Sequence, residues 1–215
     1  MYEKIIQQHS VESLQALHKI FEKEISDVWI KDYILQTNNF YGEITTQRFY
    51  NFTFLFDYTG NPLNDGIDAC AIPDSRVVGV FGITEERIFS ENRKHMSRLR
   101  GITKHYQYYG GIYERGHFIA HMAGGQIDIN LFPQRRDVNR GWNGMWRYRE
   151  MEIYVSKNPG LLVFSRPIYH DFSCRPYFFE FGFIDKNLAV TVETFPNIYA
   201  WLGCKMNSTI KFNND

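Results

Sequence analysis

Asp137-Val-Asn-Arg-Gly-Trp-Asn-Gly-Met-Trp-Arg-Tyr-Arg-Glu-Met-Glu-Ile-Tyr-Val-Ser-Lys157 is the stretch that decides the fold class. It reads as a central helix despite Gly141 and Gly144, and Asn158-Pro-Gly160 stops it. Downstream, residues 161–167, 177–184 and 188–193 return as strands. Upstream, Arg48-Phe-Tyr-Asn-Phe-Thr-Phe-Leu-Phe-Asp57 and Arg76-Val-Val-Gly-Val-Phe-Gly-Ile83 are rich in aromatic and β-branched residues and read as strands. Thr59-Gly-Asn-Pro62 and Ala71-Ile-Pro-Asp74 supply turn chemistry between them. Residues 106–117 read as another strand pair, broken at Gly110-Gly111. Strands, a central helix and strands again predict an α+β fold with a mostly antiparallel sheet. Ahead of it, Ser10 reads as an N-cap, and Leu14, Leu17, Phe21, Ile25 and Val28 recur on one face of an amphipathic helix reaching about Tyr33. Residues 1–40 are therefore expected to be a helical extension and residues 41–215 the main domain.

With 215 residues, 44% of them hydrophobic, the chain can bury a core of its own, so one globular domain is the expectation. Cys70, Cys174 and Cys204 are odd in number and scattered, which fits free thiols better than a disulfide framework or a metal site. No apolar run is long enough to span a bilayer, and Met1-Tyr-Glu-Lys-Ile-Ile-Gln-Gln-His-Ser10 lacks the apolar core of a signal peptide. A cytoplasmic chain is expected, with no membrane partner. The formal net charge of zero hides a segregation: residues 87–149 carry 12 Lys+Arg against 4 Asp+Glu, and residues 1–86 carry 6 against 13. A basic middle within acidic flanks suits a phosphate-binding face on an otherwise repelling surface.

The residues that carry chemistry lie in that middle: Glu114-Arg-Gly-His117-Phe-Ile-Ala-His121, then Asn130-Leu-Phe-Pro-Gln134-Arg-Arg-Asp-Val-Asn139-Arg-Gly141, then Trp146-Arg-Tyr-Arg-Glu150. Phosphodiester hydrolysis needs a base to activate water, a cation against the developing charge and help for the leaving oxygen. His, Asn, Arg and Glu are the residue types for those tasks. Trp142, Met145 and Trp146 read as core or core-edge side chains.

Arg115-Gly-His117, Asn130-x-x-Pro-Gln134-x(4)-Asn139-x-Gly141 and Trp146-x(3)-Glu150 together resemble the DNA/RNA non-specific endonuclease family of the ββα-metal (His-Me finger) nucleases. His117-Phe-Ile-Ala followed by Gly124-Gly125 is similar to the bacterial toxin branch, and so are Tyr169 and Arg175-Pro176. Arg115-Gly116 is similar to the secreted and mitochondrial branch. The resemblance implies that His117 is the general base, that Asn139 holds one Mg²⁺ (Mn²⁺ substituting) through its amide oxygen, and that Glu150 orders water around that ion. It further implies that Arg115 stabilises the transition state and that Asn130 positions the site or its phosphate. Glu114 stands where the family carries Asp. Arg136 and Arg140 are candidate substrate contacts, and Arg93 and Arg98 are candidates for an upstream arginine on phosphate. The implied partners are DNA and/or RNA, together with an immunity or regulatory protein if the chain is a toxin or defence nuclease, exported in that case by a dedicated non-Sec system. Oligomeric state is left open.

Two other readings stand beside this one. His117 and His121 have the i,i+4 spacing that puts two rings on one helix face, as in zinc hydrolases, although Phe118 occupies the place of the expected Glu. The basic segment also suits a non-catalytic nucleic-acid-binding module. Under the nuclease reading, His121 is expected to point away from His117 into packing.

Overall fold

The computed structural model describes residues 1–38, 41–58, 75–85, 113–125, 129–170 and 173–199. Three helices come first: α1 (Tyr2–Gln8), α2 (Leu14–Ile20) and α3 (Ser26–Gln36), with a π-helical turn, Phe21–Ile25, joining the last two. The N-cap is Ser13, whose hydroxyl accepts from the Ala16 amide at 3.2 Å, and not Ser10, whose φ of 47° places it outside any helix. The π turn inserts an extra residue, so the buried face continues through Trp29 and Tyr33, and Val28 is left half-buried.

The sheet follows. Its strands are β1 (Glu43–Phe49), β2 (Phe52–Tyr58), β3 (Arg76–Ile83), β6 (Leu162–Ile168), β7 (Phe178–Ile184) and β8 (Val190–Pro196). They pair in the order β1-β2-β3-β6-β7-β8, antiparallel throughout. Residues 48–57 are therefore two strands and not one, joined at Tyr50 and Asn51, with Tyr50 at a φ of 52°. Between β3 and β6 lie a two-stranded ribbon, β4 (Tyr113–His117) with β5 (Leu131–Arg135), and two helices, α4 (Arg136–Arg140) and α5 (Trp146–Lys157). The fold is thus α+β with a mostly antiparallel sheet. Among the described residues no helix is long and apolar enough to cross a membrane.

Side chains alternate across the strands and so feed two cores. Phe52, Phe54 and Phe56 of β2 and Phe179, Phe181 and Phe183 of β7 join Tyr148, Met151 and Val155 of α5 on one side. Leu55, Val78, Phe81 and Phe164 join Leu17, Phe21, Ile25 and Trp29 on the other. The N-terminal helices share a core with the sheet and form one layer of three.

A close approach between α3 and the sheet is at Gly79, where an added Cβ would lie 2.3 Å from Trp29 Cε3. Trp29 is 1% exposed and packed edge-on against Phe21 and Phe81, so its indole has no room to retreat. Gly79→Ala is expected to cost roughly 1–3 kcal/mol, the range for overpacking a dense core. Chemical denaturation measures it, and an unchanged midpoint would show that α3 docks more loosely than described.

One continuous helix over residues 137–157 is not what forms. Gly141, Asn143 and Gly144 have φ of 69°, 54° and 82°, and three left-handed residues within four end α4 and restart the chain as α5. The turn chemistry at 59–62 and 71–74, the strand pair up to residue 112, Cys70 and Cys204 lie outside the described residues. Cys174 is buried and outside any disulfide.

Candidate active site

β4 is five residues long and carries the decisive pair at its two ends. Near its start, Glu114 accepts from Asn139 Nδ2 at 2.8 Å and from Arg140 Nε at 3.1 Å, and it is also bound by Arg140 Nη2. Arg136 Nε lies 3.2 Å from the same carboxylate. Partial burial pushes the Glu114 carboxyl upward, but the bonds from Arg140 and Asn139 and the two guanidinium charges outweigh it and hold it below the usual range. Glu114, one methylene longer than Asp, therefore reaches α4 and gathers three donors. With the amide nitrogen of Asn139 engaged, its Oδ1 is the side chain's remaining polar atom. One carboxylate between two arginines leaves this corner with a net charge of +1, suited to phosphate.

At the other end of β4, His117 is fixed through its backbone. Tyr148 donates its hydroxyl to the His117 carbonyl at 3.1 Å. Asn130 is fully buried; its Oδ1 accepts from Ile119 N at 2.9 Å and its Nδ2 donates to Ile119 O at 2.6 Å. Both amide atoms of Asn130 are thus spent on the chain just past His117, and the side chain is closed to a phosphate. Gly116 is required between Arg115 and His117, because a Cβ there would lie 2.1 Å from Gln134 Oε1. Arg115, half-buried, pairs with Pro133 across the ribbon. Three residues of strand, roughly 10 Å, separate Glu114 from His117.

His121 does not point away. Its ring centroid is 6.2 Å from that of His117, edge to face. The two are not on one helix: His117 ends β4, and His121 opens a single 3₁₀ turn, so the i,i+4 geometry of a zinc helix is absent. Among the described residues no group of three His, Cys, Asp or Glu side chains is placed to hold a metal. Arg93 and Arg98 lie outside the described residues.

Glu150 is tied to Arg147 at 3.5 Å and lines a groove with Phe183 and Thr191 between α5 and the β7–β8 edge. Glu152 is the acidic residue on the inward face of α5, with Tyr148, Met151 and Val155. Burial pushes its carboxyl above the usual range, against the pull of Arg149 and of the Tyr148 hydroxyl. Through Tyr148 it stands next to the backbone that carries His117. A cue for it is present in the sequence: residues 148, 151, 152 and 155 have helical spacing, and Glu152 is the one acid on that stripe.

A carboxyl raised by folding contributes stability that is complete below its unfolded value and is lost as pH rises through its folded value. Glu152→Gln removes that loss. Its melting temperature is expected to exceed that of the wild type at pH 8 by roughly 2–4 °C, the shift that follows from ~1 kcal/mol in a chain of this size. The difference should narrow toward pH 5. A lower melting temperature at both pH values would mean that the ionised Glu152–Arg149 pair is worth more than its burial costs.

No protein-family model matches this chain, and no curated protein matches it. Among solved structures it is similar to one described as the EndoG/EndoGI complex and the mechanism of EndoG inhibition, with a TM-score of 0.42 and 13% sequence identity over 79% of this chain and 80% of that one. At that TM-score the likeness carries no argument about this chain's activity.

Proposed function

We propose that this protein is a metal-dependent nuclease that hydrolyses phosphodiester bonds of DNA and/or RNA with little sequence specificity. The observation that carries the reading is the Glu114–Asn139 bond: it engages the amide nitrogen and leaves the amide oxygen for a ligand, on the helix that follows β5 of the ribbon whose other strand, β4, ends in His117. A hard oxygen from a neutral amide fits Mg²⁺, which takes few protein ligands and keeps waters and phosphate oxygens for the rest. When bound, that ion supplies positive charge to the phosphate oxygens in the transition state.

His117 takes the proton from the attacking water, its backbone held by Tyr148 and by the Asn130 clamp on Ile119. Arg136 and Arg140 draw the phosphate in, and Arg115 stabilises the charge that develops on it. Asn130 is a positioning residue. Glu152 joins it in that role through Tyr148, and the water-ordering role implied for Glu150 is carried here only by its exposed place on α5. A place in bacterial conflict or defence, with an immunity or regulatory partner, belongs to the same proposal and rests on the likeness of the motif to the toxin branch.

The test is supercoiled plasmid and single-stranded RNA incubated with the protein in Mg²⁺ or Mn²⁺, with and without EDTA. Cleavage that EDTA abolishes is expected. Cleavage indifferent to EDTA, or no cleavage of either substrate, refutes the proposal.

A further inference from the structure

We propose that Trp142 and Trp146 form a stacking platform for unpaired bases beside the candidate site, so that the preferred substrate is single-stranded nucleic acid. The inference rests on the nuclease reading and names its substrate class.

Trp142 is 49% exposed and Trp146 is 55% exposed, where the sequence alone placed both in or at the core. Two causes put them outside. The left-handed residues at 141, 143 and 144 re-phase the chain, and on α5 the two-residue step from Trp146 to the buried Tyr148 is a rotation of ~200°, so Trp146 faces solvent. Trp142 is not loosely exposed either. Its amide donates to the Asp137 carbonyl at 2.8 Å and its carbonyl accepts from Met145 at 2.9 Å, so both ends of the residue are anchored while the indole stays out.

The platform is joined to the site by direct contacts. Arg140 Cζ lies 4.8 Å from the Trp142 ring centroid, and the same guanidinium is bound to Glu114, which orients Asn139. On the other side, an added Cβ at Gly141 would lie 3.3 Å from Trp146 Cα and 3.1 Å from Arg149 Cβ. The two tryptophans thus lie between two cations, in the order Arg140, Trp142, Trp146, Arg149.

Arg136 and Arg140 against Glu114 leave one net positive charge beside Trp142, which complements a phosphate backbone, while Arg147 and Arg149 are paired with Glu150, Glu193 and Glu152. Flat aromatic faces between cations suit a strand whose bases are free to turn outward, since every base has a π face whatever its identity. Bases inside a duplex are already stacked on one another and do not reach an indole without being extruded. A protein partner would also cover exposed tryptophans, but the net positive corner formed by Arg136 and Arg140 around Glu114 favours a polyanion.

The experiment is fluorescence anisotropy with the full chain in EDTA, using a labelled 20-mer of thymidine and a labelled duplex of equal length. Wild type is compared with Trp142→Ala, Trp146→Ala and the double Trp→Phe variant. The single strand is expected to bind at least several-fold more tightly than the duplex. Each alanine variant should weaken single-strand binding by roughly 5- to 100-fold, the range for removing one base-stacking ring, and leave duplex binding unchanged. The phenylalanine variant should recover most of the loss. Melting temperatures should not move, since both rings are outside the core. Equal affinity for the two forms, or alanine variants that weaken both equally or neither, overturns the platform and assigns the rings to another partner. If plasmid is cut in Mg²⁺ without strand preference, this inference alone falls. If nothing is bound or cut, the nuclease reading falls with it.

Discussion

His117→Ala should lower Mg²⁺-dependent cleavage by roughly 10²–10⁴-fold, the contribution typical of a positioned general base, while leaving the fold intact. The fold should survive because His117 is held by its backbone: the Tyr148 hydroxyl binds its carbonyl, and Asn130 clamps Ile119 two residues on. Neither bond uses the imidazole. Only the neutral ring accepts a proton, so the wild-type rate should also fall in acid through the histidine range. Rates under single-turnover conditions, alongside far-UV circular dichroism of both proteins, measure the two halves of this prediction. A variant that cleaves at the wild-type rate removes His117 from the mechanism, and His121, 6.2 Å away, becomes the residue to replace next.

The second large effect is expected at a residue that touches neither water nor phosphate in the proposed reaction. Glu114→Gln keeps the shape of the side chain and removes its charge. Arg136 and Arg140 then face each other without the charge between them, and a single amide oxygen stands where two carboxylate oxygens did, so the Asn139 amide competes with Arg140 for the acceptor that fixes its orientation. Loss of a partner that orients a metal ligand typically costs 10–100-fold in metal affinity or activity, and about that much is expected here. The loss should show as a higher Mg²⁺ requirement, recovered in part by raising the concentration of the ion. The pH dependence has a definite sign. Because the folded carboxyl is held below its ordinary value, the stability it contributes is complete above the unfolded value of 4.5 and is lost as pH falls through the folded one. The acid limb of wild-type unfolding should therefore be shallower in Glu114→Gln. An unchanged Mg²⁺ requirement would show that Asn139 needs no help from Glu114.

Strands β2, β3, β6, β7 and β8 are legible because each is a run of aromatic and β-branched residues between turn signals, and each feeds the two cores by alternation. β5 is not legible. It is five residues long, contains Pro133 and ends in Arg135, so Phe132 alone carries the usual strand composition; it exists because β4 pairs with it from Tyr113 to His117. The helix break at 141–144 is concealed for the opposite reason, since the arginine-rich residues around it have good helix propensity and only the left-handed backbone interrupts them. The rotation of α5 turns Trp146 outward and carries Glu152 to the buried face with Tyr148, Met151 and Val155, where the resemblance pointed to Glu150.

At the site, His117, Arg115, Asn130 and Asn139 are legible as a pattern, but the bonds among them are not. The Glu114–Asn139 contact joins positions 25 residues apart, brought together because β5 pairs with β4 and sets the start of α4 beside Tyr113 and Glu114.

The central claim is that Asn139 Oδ1, oriented by Glu114, holds the catalytic cation beside His117. Crystals soaked in Mn²⁺ and measured at a wavelength where manganese scatters anomalously test it directly. An anomalous peak at Asn139 Oδ1, with His117 nearby but not bound to the ion, is the predicted result. A peak held between His117 and His121, or no peak at Asn139 in crystals whose protein cleaves DNA or RNA in Mn²⁺, would contradict it.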